Sequence, residues 1–271
     1  MGKCEKNQER ILTMLRQYGR LSVGDVVSAL KTSEATVRRY FTEMENRGVL
    51  MRIFGGVCLP VQARGEYHFG QQAAVRISEK QYIGREAANL LVSGDRIFFD
   101  SGTTVRECGN FLAELLVQDR LHDIHIVTNS LVYNEALPQY CCINLLGGTI
   151  RQPRMDLCGM TTLNNISRYN FTKVFLGADG VAADGTLSTT DEDTSLLAEA
   201  ALEHCDEAFI LADSSKLGFS SFAPYGKLRG GKYTLITDLQ ANLELLEIFR
   251  ERGVRVIQAA PPVKRNIRNS K

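Results

Sequence analysis

The sequence predicts an α/β protein in two parts: a small helical N-terminal domain closed by a β-hairpin, and a larger C-terminal domain built on a mainly parallel sheet. Three observations carry that prediction. Up to about residue 50 the apolar residues recur at helical spacing, and a glycine-turned β-prone stretch follows. From about residue 80 onward, short apolar runs of strand length alternate with helix-length segments, the pattern of a parallel sheet covered on both faces. The charge is also divided: residues 1–60 hold ten Lys and Arg against six Asp and Glu, a net of +4, and the remainder holds 22 against 25, a net of −3. The overall +1 hides a basic head that suits a phosphate backbone.

In the N-terminal domain, Ile11, Leu12 and Leu15 place a first helix over Asn7 to Tyr18. Ser22 with Asp25 three residues on resembles a capping box, opening a short second helix through Leu30. The stretch Thr32 to Gly48 is the third helix: Ser33 is its N-cap, and Val37, Phe41 and Met44 form the face that must be buried. Its other face turns Arg38 and Arg39 outward. Met51 to Phe54, then Gly55-Gly56 and Val57 to Leu59, read as a hairpin ended by Pro60. Three helices and such a hairpin describe a winged helix-turn-helix over residues 1–60, with the third helix in the major groove and the wing on phosphates. The expected contacts to a double-stranded DNA operator come from Ser33, Glu34, Ala35, Thr36, Arg38, Arg39 and Tyr40 on the helix and Arg52 on the wing.

Residues 61–79 lose periodicity and read as a linker. A helix from Lys80 to Val92 then opens a domain over residues 80–260, with residues 261–271 as a tail. Strand-length runs end at Asp100, Thr128, Gly147, Gly177, Asp213 and Thr237. In a parallel sheet a ligand binds beyond the carboxyl ends of the strands, so these ends are the candidate site. Asp100, Ser101, Gly102, Thr103 and Thr104 join a strand to a helix N-terminus and offer backbone N–H groups and hydroxyls to a phosphate. Thr128, Asn129 and Ser130 repeat that chemistry, Gly147 and Gly148 permit close backbone approach, and Arg151 and Lys216 add charge. Asp100 and Asp179 suit sugar hydroxyls, because a carboxylate only accepts at neutral pH.

Other chemistries find no support in the sequence. Neither a G-x-x-x-x-G-K-[ST] nor a G-x-G-x-x-G after a strand is present, which disfavours a P-loop or dinucleotide site. Seven cysteines without C-x-x-C spacing and four histidines without ligand spacing suggest reduced thiols and no metal. No cofactor is expected. With 44% hydrophobic and 23% charged residues, no apolar run long enough for a membrane span and no apolar leader in MGKCEKNQER, the chain is expected in the cytoplasm, away from membranes.

Over nearly its whole length the chain resembles the DeoR family of bacterial transcriptional repressors. The segments SEATVRR, the wing ending GGV, FFDSGTT, VTNS, LLGGTIR, FLGADGV, LADSSKLG and LITD carry the resemblance in order. It implies a repressor of a sugar or polyol catabolic operon, released from its operator by a phosphorylated sugar. It also implies a sensor domain resembling ribose-phosphate isomerases in fold, and an effector pocket lined by Asp100 to Thr104, Thr128 to Ser130, Gly147, Gly148, Arg151, Gly177, Asp179, Gly180 and Lys216. Symmetric operators imply a homodimer or homotetramer. The family pattern is broken at Tyr40, where R-R-D-L is usual, at Phe54, where a His is common before the paired glycines, and at Gln72, where an Arg is common. It is broken again from Thr194 to Leu202, where Thr194 stands at a usual Glu and Ala198-Glu199 at a usual Lys-Arg pair; an effector with different groups, even an unphosphorylated one, fits that departure. Two other readings use the same sequence: an isomerase-like enzyme with an appended DNA-binding domain, for which no catalytic pair is identifiable by spacing, and an activator using the same head.

Overall fold

The computed structural model describes residues 3–18, 20–53, 55–59 and 67–262. The head consists of α1 (Lys3–Tyr18), β1 (Arg20–Ser22), α2 (Val23–Leu30), α3 (Glu34–Asn46), β2 (Met51–Ile53) and β3 (Gly56–Cys58). Ser22 caps α2 in the reciprocal arrangement expected, its hydroxyl accepting from Asp25 N and its own N–H donating to the Asp25 carboxylate. Ser33 caps α3 by accepting from Thr36 N. Ile11, Leu15, Val26, Val37, Phe41 and Met44 meet in one core. The wing holds one strand more than the sequence suggested, because β1 joins β3 and β2 in the order β1-β3-β2. Phe54, Pro60 and the stretch 61–66 lie outside the described residues, as do residues 263–271 of the tail.

The reading of 61–79 as irregular needs correction in its described part. Residues from 69 onward are helical, in α4 (Phe69–Ala74) and α5 (Ile77–Ala88). Phe69 and Ala73 are buried one helical turn apart, a single-turn signal too short to register as periodicity beside Gly70 and two glutamines. The junction at Arg76 is left-handed (φ 52) and carries no side-chain cap, so α5 starts three residues before Lys80 without a recognisable sequence mark.

The sensor continues through β4 (Arg96–Phe99), α6 (Thr103–Val117), β5 (His125–Thr128), β6 (Cys142–Leu145), β7 (Thr149–Arg151), β8 (Asp156–Cys158), α7 (Met160–Ile166) and β9 (Phe171–Gly177). Then come β10 (Gly180–Val181), β11 (Thr186–Thr189), α8 (Glu192–Glu203), β12 (Cys205–Leu211), β13 (Ala223–Lys227), β14 (Tyr233–Asp238), α9 (Leu243–Glu251) and β15 (Arg255–Ala259). The seven-stranded sheet runs β15-β14-β12-β9-β4-β5-β6 with every pair parallel.

Alternation along the strands divides the core. Ile97, Phe99, Phe175, Phe209 and Leu211 face α5 and α6, whereas Phe98, Val174, Leu176, Ala208 and Ile210 face α7, α8 and α9. The Phe175 and Phe209 rings stack with centroids 4.9 Å apart. On the first face α5 lies hard against α6: a Cβ at Gly84 would come within 2.6 Å of the Glu107 carbonyl carbon. That contact sets Lys80, one turn earlier on α5, beside the start of α6.

Candidate nucleic-acid interface and effector site

On the head, α3 presents Arg38 and Arg39 to solvent with side chains 59% and 66% exposed. Each is restrained along the helix, Arg38 by Glu34 at 2.6 Å and Arg39 by Glu43 at 3.7 Å, pairs that contribute little stability in water but hold the guanidiniums extended. Ser33, Glu34 and Ala35 are exposed at the start of the helix and Thr36 is half-buried. Arg52 couples wing to helix: its Nη2 donates to the Arg38 carbonyl at 3.0 Å and to Thr42 Oγ1 at 2.8 Å. Tyr40 corrects the expectation. It is only 5% exposed, packs with Phe41 and Val37, and its hydroxyl accepts from Asn7 at 3.3 Å. Position 40 lies on the inward face of the α3 helix, so the departure from the usual acidic residue concerns the packing of α1 on α3.

In the sensor the strand order reverses between β4 and β9, since the chain runs from β4 out through β5 and β6 and returns to the other side of β4 at β9. The carboxyl ends of those two strands frame the site, as expected for an open parallel sheet. Two adjoining cavities of about 50 Å³ each open there, sharing Tyr67, Gly102, Gly177 and Ala178. Their chemistries differ.

One half is cationic. It is lined by Lys80, Thr103, Thr104, Asp213 and Lys216, with the first turn of α6 supplying backbone N–H groups that have no partner inside the helix. Lys80 is 4% exposed and donates to the Gln72 carbonyl, and no carboxylate lies within ion-pair distance among the described residues. Burial pushes its ammonium down to about 8. Lys216 reaches Asp179 only at 3.7 Å. A nearly unpaired buried ammonium beside a helix N-terminus costs free energy until an anion joins it.

The other half is lined by Asp100, Ser101, Arg154, Asp156, Asp179, Thr189 and Thr194. Arg151 donates to Asp156, Asp191 and Thr194, and Arg154 approaches Asp191 at 3.0 Å, so the wall is a charge network tied to β8 and α8. Thr189 Oγ1 is buried with no hydrogen-bond partner among the described residues, a donor and acceptor open to a ligand hydroxyl. The Tyr67 ring lies 4.2 Å from the Arg154 guanidinium and closes the junction of the two halves.

Several sequence-predicted residues have other duties. Asp100 accepts from Ser101 N at 2.7 Å and Gly177 N at 3.1 Å, and burial raises its carboxyl to about 6; it fixes the loop more than it offers itself to a sugar. Gly147 and Gly148 do not line either cavity but bring the β7–β8 hairpin onto α7. The Gly147 carbonyl accepts from Thr162, and a Cβ on Gly148 (φ 153) would meet Thr162 Oγ1 at 2.0 Å. Gly180 pairs with Ser188 in the small sheet of β10, β11 and β13. Thr128 and Ser130 line a smaller cavity behind Asp100, and Asn129 is buried against Leu157. Arg151 stands behind the second half, reaching it through Asp156 and Thr194. Of the residues that break the family pattern on α8, only Thr194 reaches a cavity; Ala198 is in the core and Glu199 is exposed. Sequence reasoning missed Tyr67, Lys80, Arg154, Asp156, Thr189 and Asp213. Asp213 alone carried a signal, as the residue ending an apolar run.

A reading helix that turns two arginines outward beside a bolted wing, joined to a parallel α/β domain with a polar crevice at its switch point, defines a DNA-binding transcriptional regulator with a ligand-sensing domain. The chain belongs to the DeoR family: residues 8–63 match the DeoR-like helix-turn-helix domain and residues 75–239 the DeoR C-terminal sensor domain. It is 32% identical over 251 residues to a lactose phosphotransferase system repressor of Streptococcus mutans, covering 91% of this chain and 96% of that one. It is 30% identical over 233 residues to the HTH-type transcriptional regulator FruR of Bacillus subtilis (86% and 90%), and 28% over 255 residues to the HTH-type transcriptional repressor GlcR of the same organism (93% and 95%). Among solved structures, ribose 5-phosphate isomerase from Plasmodium falciparum aligns over 52% of each chain at 16% identity with a TM-score of 0.39.

Proposed function

We propose that this protein represses a sugar or polyol catabolic operon and leaves its operator when a phosphorylated sugar or polyol fills the sensor crevice. The observation that carries the proposal is the division of that crevice. A phosphate fits the half with Lys80, Lys216 and the α6 N-terminus, and polyol hydroxyls fit the half with Asp179, Arg154 and Thr189. The names of relatives that are repressors, one of them of a lactose phosphotransferase system, support the same reading.

The head reads DNA through Arg38 and Arg39 in the major groove, with Ser33, Glu34, Ala35 and Thr36 at the helix entrance. Arg52 orients the wing. One reading helix per chain calls for a two-fold partner, so the working unit is a homodimer or a pair of dimers in the cytoplasm, where the DNA is. The protein binds its ligand without transforming it, in keeping with relatives named as transcriptional regulators and repressors.

The test is binding of the purified protein to DNA flanking its own gene, with and without a panel of sugar and polyol phosphates and their unphosphorylated parents. Release by a phosphorylated compound and not by its parent supports the proposal. Release only by the parent would reassign the cationic half.

A further inference from the structure

The turn from Asp213 to Leu217, which follows β12, borders two cavities at once. On one side Asp213 and Lys216 line the cationic half of the crevice. On the other, Ser214, Ser215 and Leu217 border a cavity of about 210 Å³ between sensor and head, together with Arg20, Ser22 and Asp25 of the head. Across it, Arg20 Nη1 of β1 donates to the Ser214 carbonyl at 3.2 Å, a contact spanning 194 positions of sequence.

Arg76, at the left-handed junction that opens α5, braces the same turn. Its Nη1 donates to Ser214 Oγ at 3.4 Å and Gln240 Oε1 at 3.2 Å, and its Nε lies 3.8 Å from the Asp213 carboxylate. The far end is fixed, with Gly218 N donating to the Val181 carbonyl at 2.7 Å. The middle is held on the crevice side by the long Lys216–Asp179 pair, on the sheet side by Ser214 N donating to the Asp238 carboxylate at 2.6 Å, and on the head side by Arg20 and Arg76. Burial lowers the Arg20 guanidinium to about 10, a desolvation cost that the docking contact carries.

We propose that the Asp213–Leu217 turn transmits occupancy of the crevice to the DNA-reading head, with the Arg20–Ser214 carbonyl bond as the contact that is made or lost. The proposal rests on the phosphate-sensing reading above. A phosphate in the cationic half draws Lys216 away from Asp179 and sets negative charge against the Asp213 carboxylate. Both effects move the peptide carbonyl one residue along, at Ser214. The interdomain cavity is polar and roomy, so water replaces the lost Arg20 bond at small cost and a modest difference in ligand affinity suffices to shift the balance. By linkage, docking of the head changes effector affinity by the same factor as effector changes docking.

Hydrogen–deuterium exchange of the full chain with and without excess inorganic phosphate tests this, on the wild type and on Arg20→Ala. In the wild type, phosphate slows exchange at 103–104 and 213–217 and also alters it at 20–30 in the head. In Arg20→Ala the response at 103–104 and 213–217 persists and the response at 20–30 is lost. A head response as large in Arg20→Ala as in the wild type overturns the coupling role and leaves the phosphate site standing. No wild-type response at 103–104 and 213–217 overturns both. Exchange across α3 without phosphate reports whether the variant head is folded; if it is not, Arg20→Lys, which keeps the charge but shortens the reach and loses the guanidinium, is read by the same outcomes.

Discussion

Arg151 grips Asp156 with two parallel hydrogen bonds, Nε to Oδ1 at 2.8 Å and Nη2 to Oδ2 at 2.7 Å, across the directly opposed positions of the β7–β8 hairpin. Asp156 is 1% exposed and also accepts from Ser101 Oγ at 3.1 Å, so the pair ties the hairpin to the loop after β4. One wall of the crevice depends on it. Arg151→Ala strands a buried carboxylate, and a loss of about 3–5 kcal/mol in urea unfolding is expected. Arg151→Lys recovers only part, because an ammonium cannot reproduce the planar fork.

With the phosphate seated as proposed, effector affinity is expected to depend on pH through Lys80. In the folded protein its ammonium titrates near 8, against 10.5 for an ordinary lysine. A bound phosphate favours the charged form, so affinity for a sugar phosphate falls as pH rises through about 8, and calorimetry in buffers of different ionisation enthalpy shows proton uptake there. Stability of the ligand-free protein moves the other way. The unfolded chain binds more protons between these values, so this group's contribution to stability rises across pH 8 to 10.5. Lys80→Met binds more weakly and loses this pH dependence.

Gly84→Ala separates α5 from α6, since the added methyl meets α6 backbone within 2.7 Å at two atoms. A cost of about 1–3 kcal/mol in denaturant unfolding is expected. Displacement of Lys80 also weakens effector binding, while the isolated reading of DNA is unchanged.

Much of the fold was legible because the apolar runs are long enough to declare their period. Ile97 to Phe99, Val174 to Leu176 and Ala208 to Ala212 each became central strands of the sheet, and the Ser22 and Ser33 caps mark their helices in the structure. Shorter elements were not legible. The strand Arg20–Ser22 has a single buried apolar residue, Leu21, and becomes a strand only through its partner β3. The site divides in the same way. Residues at strand ends, such as Thr103, Asp179 and Lys216, follow from topology, but Lys80 and Tyr67 reach the crevice from segments before the sheet begins. Arg154 and Thr189 arrive through the hairpin and the small antiparallel sheet, whose placement no local pattern encodes. Tyr40 went the other way: three residues after Val37 and four before Met44, it shares the face those residues bury, so helical spacing already placed it inward.

On the reading helix, Arg38→Ala and Arg39→Ala each lower operator affinity by about 1–3 kcal/mol where the side chain meets a base, or reduce the salt dependence by about one counterion where it meets a phosphate. Thermal stability changes little, because both side chains are exposed. Titration of a labelled operator at several salt concentrations separates the two kinds of contact.

On the proposed reading, a phosphorylated sugar in the crevice between β4 and β9 controls DNA binding by α3. Fluorescence anisotropy of the operator with the wild type and with Lys216→Ala, across a panel of sugar phosphates, tests it most directly. Release of the wild type by one phosphorylated compound is expected, with little or no further loss of operator binding when the same compound is added to Lys216→Ala. Full release of Lys216→Ala at the same ligand concentration would contradict it.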